Sequence, residues 1–152
     1  DFILNKLKCL LVSLNNDFNI KKPKIIISGL NPHASENGTI GDEEIKYIKP
    51  AIKRLKKLNF NITGPVSADS MISKESIKSF DCFVFMYHDQ ALIPFKYISK
   101  NTGVNYTSNL SIIRVSPDHG TANDIVGKNK ANVKSILNCF KTIYKISKNR
   151  KN

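Results

Sequence analysis

A chain of 152 residues can bury one sizeable core, which allows a single domain and leaves little room for several. Its 24 Lys and Arg against 12 Asp and Glu give a formal charge of +12, which raises the question of a nucleic acid or an anionic membrane as partner. The cations are spread over helical faces and the last segment, among many Asn and without interleaved aromatics, and no apolar run nears the roughly 20 residues that span a bilayer; the expectation is no nucleic acid and no membrane.

In chain order, Phe2, Ile3, Leu4, Leu7, Leu10, Leu11 and Leu14 recur at helical spacing and predict an amphipathic helix that fades at Asn15-Asn16-Asp17. The pattern starts directly after Asp1, with neither an initiator Met nor the order of a signal peptide, which reads as a piece of a longer, cytoplasmic chain. Lys24 to Ser28 predicts the first strand. Gly29 to Gly38 then forms a long polar loop, because its Asn-Pro and Asn-Gly steps favour turns, and His33 makes it a candidate active-site loop. The next helix starts at Gly41 or Asp42, with Glu43 and Glu44 favoured in its first turn by the helix dipole. Ile45, Ile48, Ile52 and Leu55 form its buried stripe, and Pro50 kinks it or divides it in two. Phe60 to Thr63 reads as a strand, Gly64 to Ser70 as a turn exposing Asp69, and Ser73 as the cap of a short helix.

Phe83-Val84-Phe85-Met86 is apolar at consecutive positions, as in a strand covered on both faces, and it empties into Tyr87-His88-Asp89-Gln90. In parallel α/β sheets, ligands bind beyond the carboxyl ends of such strands. Gln90 to Tyr97 predicts a short covered helix carrying Lys96. Val104 to Thr107 and Ser111 to Val115 look like strands, and Arg114, set among apolar residues, must meet an anion: a protein carboxylate, or a bound carboxylate or phosphate. A loop of small and hydrogen-bonding residues runs from Asp118 to Gly127. The final helix carries Ile136, Leu137, Phe140, Ile143 and Tyr144 on its apolar side, and Ser147 to Asn152 reads as a solvated basic tail. Cys9, Cys82 and Cys139, odd in number and far apart in apolar surroundings, read as buried free thiols. There is no Rossmann GxGxxG or Walker motif, no internal repeat, and no boundary within 1–152.

Each of the three histidines follows an apolar run. If those runs are parallel strands of one sheet, His33, His88 and His119 gather along one edge, where neutral imidazoles with carboxylates nearby suit a divalent metal. The chain has no compact pair such as His-x-x-x-His, so such a site depends on the fold. For an isolated His-Asp pair, a strand end followed by a helix start is the more ordinary reading, and it is the placement of the other histidines that shifts the balance.

Together, Ser28-Gly-Leu-Asn-Pro-His-Ala, Gly41 with Glu43-Glu44, Thr63-Gly-Pro with Ala68-Asp69, Met86-Tyr-His-Asp-Gln, Phe95-Lys-Tyr, Val104-Asn105, Arg114, and Ser116-Pro-Asp-His-Gly-Thr-Ala with Asp124 and Gly127 resemble the 4-hydroxythreonine-4-phosphate dehydrogenase (PdxA) family. The likeness runs over nearly the whole chain and matches the C-terminal part of that family.

The resemblance implies the C-terminal portion of a three-layer α/β/α sandwich of the isocitrate/isopropylmalate dehydrogenase type. It also implies a homodimer with the site at the interface, and NAD- or NADP-dependent oxidation of 4-phosphooxy-L-threonine in pyridoxal phosphate synthesis. The family holds a divalent metal (Zn, Mg or Co) with three histidines; two match His33 and His88, the third lies upstream, and His119 is not among them. Family substrate-binding positions fall on Lys96, Asn105 and Arg114, and acidic positions near substrate and metal on Asp69 and Asp89. Gly120, Thr121, Asp124 and Asn132 match the loop on the adenosine side of the cofactor in isopropylmalate dehydrogenases. The chain departs from the family at Ser35 and Asn37, where glycines are usual, and at Ala91, where Gly commonly follows His-Asp-Gln. Two alternatives stand beside this reading: a related dehydrogenase acting on another phosphorylated hydroxy acid, and a non-catalytic basic binding module.

Overall fold

The computed structural model describes residues 1–151; Asn152 lies outside the described residues. Helix α1 (Phe2–Asn16) leads into strand β1 (Lys24–Ser28), a turn of left-handed residues within Pro32–Gly38, and a widened helical turn (Glu44–Ile48) continuous with α2 (Lys49–Lys57). β2 (Asn61–Val66), α3 (Ala68–Met71), α4 (Lys74–Ser79) and β3 (Cys82–Val84) follow, then α5 (His88–Ser99), β4 (Val104–Thr107), β5 (Arg114–Pro117) and α6 (Lys134–Lys151).

The strands form a parallel sheet in the order β2-β1-β3 and a separate antiparallel ribbon, β4-β5. β1 is central, and Ile25, Ile26 and Ile27 are all buried, as a continuous apolar run in a strand covered on both faces requires. Ile25 and Ile27 join Leu7, Leu11 and Leu14 of α1, Ile52 and Leu55 of α2, and Ile48 and Ile62 in one core cluster. Ile26 alternates to the opposite face, and α3 packs on β1 with Met71 buried. Helices on both faces of a parallel sheet make this the three-layer α/β/α class.

Several sequence expectations change here. The strand expected over Phe83–Met86 ends at Val84 and is only half-buried, because β3 pairs with β1 along one edge alone among the described residues. α5 is not covered: none of its residues is buried, and Ile93 and Tyr97 are 72% and 82% exposed. Ile45 is exposed and Glu44 is buried in its place, since the widened turn ahead of Pro50 rotates the helical stripe by about a residue. β2 runs on to Val66, beyond the expected strand end, and β5 starts at Arg114 where a strand was expected from Ser111. Cys9 and Cys82 are half-buried; only Cys139 is fully buried, and all three are free.

The C-terminal helix differs most. Ile136, Leu137, Phe140, Ile143 and Tyr144 are exposed, while Ser135, Cys139 and Ile146 face inward. The expected solvated tail is helical to Lys151. Arg150 pairs its Nε with Asp17 Oδ1 at 2.6 Å, Asn149 donates to the Asp17 carbonyl, and Tyr106 Oη donates to the same carboxylate. Asp17, 4% exposed, thus ties the end of α1 to the end of α6 and to β4. The Arg150 guanidinium is the main reason its carboxyl is held below the usual range, against the opposing effect of burial.

Candidate active site

β1 and β3 are adjacent and parallel, so the turns that leave them lie at the same end of the sheet. The first turn carries His33 and the second His88. His119 follows β5, which belongs to the separate antiparallel ribbon, so the three histidines do not share one sheet edge.

The His33 turn has a strained backbone. His33, Ala34, Ser35, Glu36 and Asn37 all have positive φ, between 43° and 71°, a region that costs roughly 1–2 kcal/mol for each residue bearing a Cβ. Ser35 is fully buried and its hydroxyl has no hydrogen-bond partner. What holds the approach to this turn is Glu44. Its Oε1 accepts the backbone N–H groups of Leu30 at 2.7 Å and Asn31 at 2.8 Å, and its Oε2 accepts the Asn31 side-chain amide at 2.9 Å. Burial pushes the Glu44 carboxyl up, but these donors outweigh it and leave the group below the usual range, ionised at 0% exposure. Gly29 is required beside it, since a Cβ there would come within 2.8 Å of the Ala34 backbone and 2.9 Å of Glu44 Oε1. Asp69 sits at the start of α3; the Ser67 hydroxyl, 2.5 Å away, is the chief cause of its lowered carboxyl pKa.

His88 opens α5 with Tyr87 as its N-cap. Its Nδ1 lies 2.7 Å from Asp89 Oδ1; a carboxylate accepts only from an N–H, so this pairing favours the tautomer with its proton on Nδ1 and Nε2 as the ligand atom. Two residues on, the Gln90 carboxamide bonds Ser28 Oγ, the Gly29 carbonyl and the Met86 N–H. His88 also lines an open, mainly apolar groove of about 820 Å³ between β3, α5 and β4, with Phe83, Phe95 and Asn105 among its walls. Cys82 faces the same groove, but burial pushes its thiol up to about 11, which makes it a poor nucleophile.

The other candidates are dispersed. Lys96 Nζ lies 3.7 Å from Asp118 Oδ1, so it has a carboxylate partner within the chain. Arg114, expected to be embedded among apolar residues, is exposed, because its ribbon has no covering layer on that side; its Nη1 donates to Thr107 Oγ1 at 2.8 Å across the β4-β5 pair. Gly120, Thr121, Asp124 and Asn132 lie on an exposed stretch; nothing would meet a Cβ at Gly120, and Asn132 Oδ1 is taken by the Lys134 N–H. The structure thus sets the His33 turn against α3, which carries Asp69, pairs His88 with Asp89, and places His88 and Asn105 on the walls of one groove.

The donors suit a divalent metal in kind: imidazoles from two adjacent strand ends, one oriented by a carboxylate. They do not suffice in number, for among the described residues no group of three or more His, Cys, Asp or Glu side chains converges closely enough to hold an ion. Sequence reasoning missed Glu44 and Gln90 as supports of the site. A carboxylate in a first helical turn satisfies the dipole rule without revealing that it is buried, whereas Gln90, polar beside a histidine at a strand end, carried a usable signal.

The model of the family described as pyridoxal phosphate biosynthetic protein PdxA matches residues 1–143. The 4-hydroxythreonine-4-phosphate dehydrogenase of Bradyrhizobium diazoefficiens is 45% identical over 137 residues, 90% of this chain and 40% of that protein. Its counterpart from Sulfurihydrogenibium sp. is 44% identical over 149 residues, 98% and 46% of the two chains. The crystal structure of the Klebsiella pneumoniae 4-hydroxythreonine-4-phosphate dehydrogenase superposes with a TM-score of 0.77 at 34% identity, covering 97% of this chain and 44% of that one. A terephthalate 1,2-cis-dihydrodiol dehydrogenase from Burkholderia xenovorans superposes with a TM-score of 0.72 at 26% identity over 94% of this chain and 45% of its own. The chain therefore spans less than half the length of these relatives. With a match over 143 of its residues, on a parallel sheet that carries His33 and His88 at the ends of neighbouring strands, this chain belongs to the PdxA family.

Proposed function

We propose that residues 1–152 supply part of the active site of a 4-hydroxythreonine-4-phosphate dehydrogenase, with no domain boundary inside them, acting in the cytoplasm in pyridoxal phosphate biosynthesis. The observation that carries this reading is the delivery of His33 and His88 to one end of the parallel sheet in a chain whose relatives bear that name. His33 and His88 would hold a divalent metal (Zn, Mg or Co), with the remaining ligand coming from outside the described residues, in a homodimer whose site lies between subunits. The bound metal would supply a Lewis acid for the substrate hydroxyl, and NAD or NADP the hydride acceptor.

This chain's own part is binding and orientation. Asp89 holds the His88 ring through Nδ1, and Asp69 stands on α3, which packs against the turn that carries His33. Asn105 offers a neutral amide on the wall of the groove. Lys96 and Arg114 present cations to the two anionic groups of 4-phosphooxy-L-threonine; to do so Lys96 must exchange Asp118 for the ligand. Gly120, Thr121, Asp124 and Asn132 would meet the adenosine side of the cofactor, and their exposure leaves them accessible to it.

The test is a coupled set of assays on the protein as encoded by its gene. His33→Ala and His88→Ala are each expected to abolish metal-dependent formation of NADH or NADPH, and Arg114→Met to raise KM at least tenfold with an unchanged melting temperature. The 152-residue chain alone, with two imidazoles per site, is expected to turn over no substrate. Full activity in either histidine variant overturns the assignment. The likeness to a dihydrodiol dehydrogenase favours a second reading, in which the same half serves an unphosphorylated substrate. A panel setting 4-phosphooxy-L-threonine against cis-dihydrodiols separates the two.

A further inference from the structure

We infer that Gln90 is a positioning residue: its carboxamide sets the His33 turn and the His88 turn relative to one another. The inference rests on the metal reading of His33 and His88 proposed above, and it goes beyond that reading by naming what keeps the two imidazoles in register.

The need for such a residue follows from the sheet. The last backbone pairing between β1 and β3 is Ile27 with Val84, so beyond that point the ladder no longer holds the departing turns together. Gln90 takes over there. Its Oε1 accepts the Ser28 hydroxyl at 2.7 Å and the Met86 N–H at 2.9 Å, one bond to each turn, and its Nε2 donates to the Gly29 carbonyl at 2.9 Å. Gln90 stands in the first turn of α5, on the same rigid element as His88, while Ser28 and Gly29 lead into the strained run that carries His33. The segment entering that run is gripped on both sides: Gln90 takes the Gly29 carbonyl, and Glu44 takes the N–H groups of Leu30 and Asn31.

The chemistry requires a carboxamide. Two donors converge on one oxygen and an acceptor faces the other end, and among side chains of this length only Gln offers an acceptor and a donor in that fork. Glutamate keeps the shape and the acceptor, but sets a second oxygen against the Gly29 carbonyl. Alanine removes all three bonds. Groups that orient metal ligands in this indirect way are worth about 10–100-fold in metal affinity.

The experiment titrates Co²⁺ into the metal-free protein as encoded by its gene and follows the visible absorption of the ion. The parent is compared with Gln90→Glu, Gln90→Ala, His33→Ala and His88→Ala, and the melting temperature of each metal-free protein is recorded. The histidine variants are expected to lose Co²⁺ binding. Gln90→Glu and Gln90→Ala are expected to weaken it by about 10–100-fold and to change the shape of the absorption bands, with the metal-free melting temperature falling by no more than about 5 °C. Parental affinity and bands in both Gln90 variants, alongside histidine variants that no longer bind, overturn the positioning role and leave the metal reading standing. So does a Gln90→Glu protein that is unfolded by circular dichroism or melts far lower, because Gln90 would then be a general structural residue. Histidine variants that bind Co²⁺ like the parent overturn the metal reading itself.

Discussion

The first half of the chain closes a core and the second half largely does not. Among the described residues, twelve of the fourteen buried apolar side chains lie between Leu7 and Met71, and Cys139 and Ile146 come later. From α5 onward, large side chains such as Ile93, Tyr97, Ile112, Phe140 and Tyr144 stand in solvent. The difference lies in what each half has to pack against. β1 has a strand on each side and helices over both faces, so its apolar run is enclosed, whereas α5 packs closely on no other element among the described residues and the β4-β5 ribbon is packed chiefly by α6. Apolar content is therefore a poor guide to burial here, and the proposed site lies where the closed half meets the open one.

The sharpest way to break this contrast is to truncate a large side chain on each side of it. Leu55→Ala, at 0% exposure in the core cluster, is expected to cost about 2–5 kcal/mol by urea denaturation, from lost burial and a residual cavity. Phe140→Ala, at 64% exposure, should stay within about 0.5 kcal/mol. A comparable loss at Phe140 would mean that this face of α6 is covered in solution.

Next in size is the contrast between two arginines. Arg150→Met strands the buried carboxylate of Asp17 and is expected to cost about 3 kcal/mol, while Arg114→Met, at an exposed ribbon position, should change stability by less than about 0.5 kcal/mol. The acid dependence sharpens this. Arg150 lowers the Asp17 carboxyl on folding, so the contribution of the pair is fully present above the ordinary carboxylate pKa of about 4 and is lost as pH falls through the lower folded value. Parent and Arg150→Met should thus begin to converge in stability below about pH 4 and meet only once pH has fallen past the lower folded value. Curves that keep a constant offset through that range would show that the cost of losing Arg150 does not come from an ionised Asp17, and curves that coincide at neutral pH would show that the pair contributes nothing.

The smallest expected effect is a gain within the closed half. Ser35 holds φ at 71° with a buried, unpartnered hydroxyl, and Ser35→Gly removes both penalties against the added entropy of an unfolded glycine. A stabilisation of about 1 kcal/mol is expected from thermal melts, and a destabilisation would mean that the left-handed turn is not the solution conformation.

Periodicity and local chemistry made much of the closed half legible. α1 spans the expected repeat, β1 matches Lys24–Ser28 at both ends, and Ser73 caps α4 by accepting the Ser76 N–H. These features depend on neighbours a few residues away, which a sequence displays. The open half was less legible because its signals depend on distant partners. The apolar stripe of α6 reads as core wherever it sits, Arg114 looks embedded until the ribbon leaves it exposed, and Arg150 looks like a tail residue until Asp17, far away in the chain, reaches it.

For the site, the sequence by itself determined which residue types could do chemistry and that all three histidines follow apolar runs; the family resemblance set His119 apart from the two histidines proposed as metal ligands. Only the tertiary structure decided that β1 and β3 are neighbours while β5 is not, that Glu44 turns inward, and that Gln90 spans the two turns. The reason is physical. Helical and strand repeats are written in contacts between near neighbours, whereas strand order, the burial of a carboxylate and a hydrogen bond across 61 residues exist only once the chain has closed on itself.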